Sequence, residues 1–309
     1  MDFVLTNLPS LVLIALSGGA CLLLLATRRS ARWFERRFRK GHVLRGTLAV
    51  ALVLVLSVIV TAPPLRTRGT VLVLFALTIV ALLVVTSVAA VQLRRKGAPA
   101  RSRRRILAIG AHPDDIELAC GATLAKLADR GHEIRTVVMT AGSSGGDAPT
   151  RLREAHRGSR HLGAGTTDVH ELRDTRLARD DRAMVQIIER AIEDFAPDLV
   201  LTHSKNDYHQ DHEAVHFATL RAARRHGSVI CFESPSATGD FAPVLYVDVT
   251  EHLEVKVDAV ELHQDQRGKP YMAAERVRAV AAFRGAQARA RFAEGFEVVR
   301  LQGFATEGL

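Results

Sequence analysis

From Ile106 onward, short apolar runs alternate with segments of helical periodicity. Ile106 to Ala111 reads as a strand, Leu118 to Arg130 as a helix and Glu133 to Thr140 as the next strand. A strand, a helix and a second strand in that order close as a parallel pair with a right-handed crossover, so this opening commits the chain to an α/β sheet. The alternation continues with a helix over Thr150 to Leu162, a short strand near Asp168 to Leu172 and helical periodicity over 181–195, closed by Pro197. Asp198 to Thr202 reads as a strand, Asp211 to Arg225 as a helix, Ser228 to Glu233 and Val244 to Val249 as strands, and 250–264 and 272–292 as helices. The fold class expected is α/β, a Rossmann-like and mostly parallel sheet with flanking helices. Ligands on such sheets bind at the carboxyl ends of the strands. The 204 residues of 106–309 suffice for one domain with a full core.

Charge divides the chain at the same place. Residues 1–105 hold 17 basic and 2 acidic residues, whereas 106–309 hold 25 basic and 31 acidic. The overall charge of +9 is therefore no sign of a nucleic-acid partner, and none is expected. Two stretches of 24 residues, Phe3 to Ala26 and Thr70 to Leu93, carry no charge, and each is long enough to cross about 30 Å of hydrocarbon as a helix. Thr47 to Ala62 is a shorter apolar run that Pro63-Pro64-Leu65 can extend. The expectation is a membrane anchor over 1–96 with three α-helical transmembrane spans, about 3–26, 47–65 and 70–93, followed by a basic linker over 97–105. Loops 27–46 and 94–105 carry eight and seven Lys or Arg, and 63–69 carries two. On the positive-inside rule this gives a multi-pass protein embedded in the bilayer with its 106–309 domain in the cytoplasm.

Three cysteines, Cys21, Cys120 and Cys231, lie far apart without a CxxC, which excludes a disulfide framework and a thiolate zinc ribbon. The turn after the first strand is His-Pro-Asp-Asp instead of a glycine-rich loop, and two carboxylates there would repel a pyrophosphate.

That turn belongs to the first of two clusters able to hold a metal, Ala111-His112-Pro113-Asp114-Asp115. The second, Tyr208-His209-Gln210-Asp211-His212, follows the strand Asp198 to Thr202, which puts both at one edge of the sheet. A catalytic zinc takes neutral imidazole and carboxylate ligands and keeps a position open for water. One His and one carboxylate from the first cluster plus one His from the second supply the set, and the neighbouring carboxylate is free to act as general base. Spacing alone leaves open which His of the second cluster ligates. Either cluster by itself is matched by a bland reading, since Asp caps helices and Pro directs turns.

The run Ala111-His112-Pro113-Asp114-Asp115-Ile116-Glu117-Leu118-Ala119-Cys120-Gly121-Ala122 resembles the AHPDD opening of the PIG-L/LmbE-like zinc de-N-acetylases, and His209-Gln210-Asp211-His212 resembles their HxDH motif. Thr140-Ala141-Gly142, Arg151-Leu152-Arg153-Glu154, Lys256 to Gln266 and Ala293-Glu294-Gly295-Phe296 are similar to further segments of that family. The resemblance implies zinc, or another divalent transition metal such as Fe2+, held by His112, Asp115 and His212. It implies Asp114 as general base and proton donor and His209 as the oxyanion partner, with Asp211 steadying a charged His209. Arg151 and Asp174 resemble positions that hold sugar hydroxyls, against the alternative of an exposed helix charge and a loop cap. The activity implied is hydrolysis of the N-acetyl group of an amino sugar, an N-acetylglucosamine-type glycoconjugate. A lipid-linked carrier is expected from the anchor, which would confine the enzyme near a membrane-borne substrate. The alternatives are a membrane-tethered sugar-binding or scaffolding protein without catalysis, and a phosphoesterase, for which the ligand set is too small to build a two-metal clamp. Gly121-Ala122 stands where the family has Gly-Gly, and Ile116 where many members have Glu. His216, one turn after His212, is expected to pack instead of ligating.

Overall fold

The computed structural model describes residues 18–27, 30–31, 33–34, 38, 41–61, 84–86, 88 and 102–303. The chain separates into two compact units, Met1–Arg95 and Lys96–Leu309. In the first unit a 21-residue helix, α1, spans Gly41–Thr61. It starts six residues before the segment expected to span, taking His42 and Arg45 into its opening turns, and it ends ahead of Pro63-Pro64, where the residue before a proline is biased away from helix. Among the described residues no helix is long and apolar enough to cross a membrane. This contradicts the multi-pass location with a cytoplasmic domain and gives the expected three-span anchor no support. Residues 3–17 of the first expected span, most of the third, and the basic cluster from Arg94 to Arg101 lie outside the described residues.

In the second unit the strands are β1 (Arg105–Gly110), β2 (Glu133–Val138), β3 (Thr166–Val169), β4 (Leu199–His203), β5 (Val229–Phe232), β6 (Leu245–Asp248) and β7 (Ala293–Arg300). They form one sheet in the order β3-β2-β1-β4-β5-β7-β6. Pairing is parallel from β3 to β5, while β7 runs antiparallel to both its neighbours. The helices are α2 (Asp115–Asp129), α3 (Ala148–Leu162), α4 (Asp181–Phe195), α5 (Gln210–Ala222), α6 (Leu253–Val260) and α7 (Ala274–Ala288). The α/β expectation holds, with a mostly parallel sheet.

Alternation along the central strands explains the layering. Ile106 and Ala108 of β1 with Leu199 and Leu201 of β4 face one apolar core, which α2 and α6 cover. Leu107, Ile109 and Val200 face the other, covered by α4 and α5. Both faces are buried, as a parallel sheet with crossover helices requires. The chain winds outward from β1 to β3 and then returns to β4 on the other side of β1. The carboxyl ends of β1 and β4 therefore flank the crevice where the winding reverses.

Three boundaries differ from the sequence expectation for local reasons. Helix α7 stops at Ala288 because Arg289 is left-handed (φ 55°), and beyond it the chain forms β7, a strand absent from the sequence expectation. The helix expected over 250–264 is confined to Leu253–Val260, since His263 leaves helical geometry. Strand β3 begins two residues early, after Gly163 ends α3 in a left-handed cap.

Candidate active site

β1 ends at Gly110, and the next five residues turn sharply into α2. Asp114 sits at this turn with φ 120°, a backbone conformation costly for any residue with a side chain and typical of sites where geometry is over-determined. The carboxylate of Asp115 holds the turn from inside. Its Oδ2 accepts the N–H of Ala111 at 3.1 Å and of His112 at 2.7 Å. Helix α2 is broken once, at Cys120 (φ −130°). The freed N–H groups of Ala122 and Thr123 donate to the Glu294 carboxylate at 3.1 and 2.7 Å, and Lys256 Nζ donates to the same carboxylate at 2.7 Å and to the Ala119 carbonyl at 3.3 Å. A buried ion pair from α6 and β7 thus fixes the helix that carries the turn.

At the neighbouring edge β4 ends in His203, and a short loop leads to α5, whose N-cap is His209. The two clusters converge. His112 Nδ1 lies 3.4 Å from Asp115 Oδ2, and Asp115 Oδ1 lies 3.4 Å from His212 Nε2. The imidazoles of His112 and His209 are 4.7 Å apart between centroids and those of His209 and His212 4.6 Å. Three overlapping groups of potential ligand atoms result: His112 with His209 and His212; Asp115 with His203 and His212; and His112 with Asp174 and Asp211. Each of the three expected metal ligands belongs to at least one of them. The cleft above has a volume of about 270 Å³ and is lined by His112, Asp114, Asp115, His209 and His212, with Tyr271 on its wall.

The remaining expected site residues are all nearby, with contacts that differ in part from those expected. Arg151 is buried under Asp114: its Nη2 donates to the Pro113 carbonyl at 3.0 Å and to Asp114 Oδ2 at 3.4 Å, and its Nη1 to the Gly142 carbonyl at 2.7 Å. Gly142 (φ 69°) cannot carry a side chain, because a Cβ there would collide with that guanidinium. Asp174 Oδ1 lies 3.2 Å from His112 Nε2, and its Oδ2 accepts the Ser144 N–H at 2.7 Å. The Asp211 carboxylate is turned toward His112 Nε2, at 3.2 Å, and the N–H groups of Thr175 and Leu177. Only the Asp211 backbone N–H reaches His209, donating to Nδ1 at 3.2 Å. Asp211 thus orients His112 through its side chain and His209 through its backbone. His216 packs behind β4, its Nδ1 donating to the His203 carbonyl at 2.9 Å.

Electrostatics separate the carboxyl groups. Burial, with the charge of Asp115 adjacent, pushes Asp114 up to about 6. Burial also opposes ionisation of Asp115, but His212 and His203 outweigh it and hold Asp115 well below the usual carboxylate range. Burial works against charge on His212, yet Asp115 and Asp207 push it up to about 9. His112 is likewise raised, against burial, by Asp115, Asp174 and Asp211. Burial and the charges of His212 and His112 lower His209. The expected charged His209 is thus replaced by a neutral ring, and because Nδ1 accepts a backbone N–H, its proton sits on Nε2. Ionised carboxylates with two imidazoles that retain protons to balance them form a donor set that a divalent cation fits, by displacing those protons.

Two residues of this cluster escape a sequence reading. Asp207 accepts from His212 Nδ1 at 2.9 Å, from the His209 N–H at 2.9 Å, from Ser236 Oγ at 2.6 Å and from Ser234 Oγ. The ring of His203 stacks on His212 with centroids 3.9 Å apart, and its Nε2 accepts the Ala111 N–H at 3.0 Å. Burial and the charge of His212 bring His203 down to about 4. The available signals were an acid two positions before His209 and a histidine at a strand's carboxyl end.

The profile of PIG-L, described as GlcNAc-PI de-N-acetylase, matches residues 107–223, which span both clusters. The chain is 39% identical over 172 residues to the uncharacterized deacetylase YaiS of Escherichia coli, covering 53% of this chain and 93% of that protein. It is 28% identical over 233 residues to the diacetylchitobiose deacetylase of Thermococcus kodakarensis, covering 65% of this chain and 85% of the relative. Its fold is similar to the crystal structure of a conserved protein from Thermus thermophilus, with a TM-score of 0.58 at 24% identity, covering 63% of this chain and 94% of that one.

Proposed function

The chain belongs to the PIG-L family of amide-hydrolysing de-N-acetylases, and on that premise we propose that it removes the acetyl group from an N-acetylated amino sugar with the help of a divalent metal ion. The observation that carries this reading is the convergence of the β1 and β4 ends on one cleft, with Asp114 facing that cleft and its carboxylate bonded, among the described residues, to Arg151 alone. The relative named for diacetylchitobiose supports an N-acetylglucosamine unit as the sugar. The unit assigned to the activity is Lys96–Leu309.

His112, Asp115 and His212 are the residues assigned to hold the metal, and zinc is the ion this mixed imidazole and carboxylate set suits best. When bound, such an ion supplies Lewis acidity toward the amide carbonyl and toward water. Asp207 prepares the site: as an acceptor it takes the Nδ1–H of His212, which leaves the Nε2 lone pair toward Asp115 and the cleft. Asp114, once ionised, takes a proton from the attacking water. It returns that proton to the departing nitrogen as the C–N bond breaks, so acetate and a free amine leave. His209 donates its Nε2–H to the oxygen that gains charge in the tetrahedral intermediate. Arg151 holds the Asp114 carboxylate and the Gly142 loop in one orientation; it is assigned to positioning, since its guanidinium is already occupied by chain atoms. Asp174 and Asp211 orient His112.

The lipid carrier was expected from an anchor that the described residues do not support, so the proposal stops at the amino sugar. The test is acetate release from N,N'-diacetylchitobiose and from N-acetylglucosamine conjugates, soluble and lipid-linked. Turnover that is sensitive to a chelator and restored by added zinc supports the reading. Absence of acetate release from every conjugate by metal-loaded protein overturns it.

A further inference from the structure

Besides its histidines, the cleft is lined by two basic side chains, Arg151 and Lys269. Arg151 is spent on Gly142, Pro113 and Asp114. Lys269 is different. It enters from the turn that precedes Pro270–Met272, a short 3-10 segment tied back by the Lys269 N–H to the Gln266 carbonyl at 3.0 Å and by the Met272 N–H to the Lys269 carbonyl at 3.0 Å. Its ammonium lies 5.9 Å from the centre of the Tyr271 ring and beside Gly145, yet it makes no hydrogen bond or ion pair with any described residue. The Tyr271 hydroxyl, on the same wall, likewise has no hydrogen-bond partner among the described residues. Burial, together with the charges of Asp114 and Asp115, raises that phenol to about 12, so it remains an O–H donor. Ser144 also lines the cleft. Its backbone N–H is taken by Asp174, while its hydroxyl meets no described acceptor.

We propose that Lys269, with the hydroxyls of Tyr271 and Ser144, forms an anion subsite on the cleft wall, so that the amino sugar accepted carries an anionic substituent, a phosphate ester or a carboxylate. This rests on the de-N-acetylase reading of the same cleft. The Lys269 ammonium can only donate and both hydroxyls beside it are able to donate, a composition that suits acceptor oxygens and, at the ammonium, favours an anion over a neutral hydroxyl. Asp114, Asp115 and Asp174 also line the cleft, and Lys269 has none of them as a partner. The Lys269 backbone is held by its turn, which limits the ordering cost when an anion binds.

The experiment is calorimetric binding to the full chain carrying Asp114→Asn, which suppresses turnover. The probes are N-acetylglucosamine, N-acetylglucosamine 1-phosphate and N-acetylmuramic acid, the last two separating phosphate from carboxylate. At least one anionic sugar is expected to bind about tenfold or more tightly than the neutral one, as a charge-assisted contact predicts. The preference should shrink as salt is raised, since the ammonium is partly exposed. Adding Lys269→Met should collapse the ratio of anionic to neutral affinity to within about twofold, and Lys269→Arg should restore most of it. Equal affinity for all three sugars, no measurable binding of either anionic sugar, or a ratio unchanged by Lys269→Met overturns the proposal. Acetate release by the unmodified chain is read in parallel. A binding preference without turnover fails the catalytic reading and leaves the subsite standing, while turnover without preference does the reverse.

Discussion

Asp207 Oδ2 stands 2.9 Å from His212 Nδ1, and every other contact of the Asp207 carboxylate is also with a donor, from Ser234, Ser236 and the His209 amide. Such a carboxylate has one stable orientation and dictates the tautomer of the imidazole it faces. Its removal frees the His212 ring to rotate and lets the proton migrate to Nε2. Asp207→Ala is therefore expected to weaken zinc binding about 10-fold to 100-fold, measured by competition against a chromophoric chelator, with Asp207→Asn falling between it and the unmodified chain. Unchanged zinc affinity in Asp207→Ala would remove this residue from the site's design.

Asp114 combines chemistry with a strained backbone, and two substitutions separate them. Asn tolerates positive φ better than other residues with a Cβ, so near pH 4, where folded Asp114 holds its proton, Asp114→Asn should leave the melting temperature nearly unchanged, while at neutral pH it should lower kcat/KM for acetate release about 100-fold or more. Asp114→Val places a β-branched residue at φ 120° and should cost about 1–3 kcal/mol of stability in addition, read from urea denaturation.

The raised Asp114 carboxyl has a consequence for pH. In the metal-free protein it holds its proton up to about 6, whereas the ordinary carboxyl value is 3.8. Between those limits the folded state binds more protons than the unfolded state, so this group's contribution to stability falls as pH rises. Urea unfolding with a chelator at intervals from pH 4 to 7 should show the difference between the unmodified chain and Asp114→Asn shifting against the unmodified chain across that window. A constant difference would mean that Asp114 is ionised throughout. With a cation bound, its charge favours the carboxylate, so the ascending limb of kcat/KM should lie below pH 6.

Glu294→Ala leaves Lys256 buried without its counter-charge and the N–H groups of Ala122 and Thr123 without an acceptor. The expected loss is about 3–5 kcal/mol, measured by urea denaturation. Activity should fall as well, because α2 carries the turn that holds Asp114 and Asp115. A loss under about 1 kcal/mol would show that the kink is held by packing alone.

The parts of this protein that reveal themselves in sequence are those governed by short-range regularity. Ile106 to Ala111 and Leu199 to Leu201 are apolar runs, so their ends, and the acid and histidine clusters that follow, could be set at one edge of the sheet before any coordinates. What distance in sequence hides is partnership. Nothing local announces that the Asp211 carboxylate turns to His112, 99 positions away, or that Glu294 completes a helix begun at Asp115. Lys269 and Tyr271 reach the cleft from a short 3-10 turn, which has no periodicity to read. β7 stayed hidden because Arg289 ends its helix by adopting a left-handed conformation, which residue type alone does not announce. In residues 1–105 the middle apolar run is a helix displaced toward Gly41, and the rest lies largely outside the described residues.

The break in α2 at Cys120 is closed by the Glu294 side chain of β7, so synthesis must pass that residue before the helix can settle. A ribosome that has released only the segment through residue 223, where the family profile ends, has delivered both histidine clusters but not the carboxylate that secures the first of them. Loading with a cation during synthesis should accordingly lag behind the appearance of its ligands, and shortened chains that stop before Glu294 should emerge as clients for chaperones.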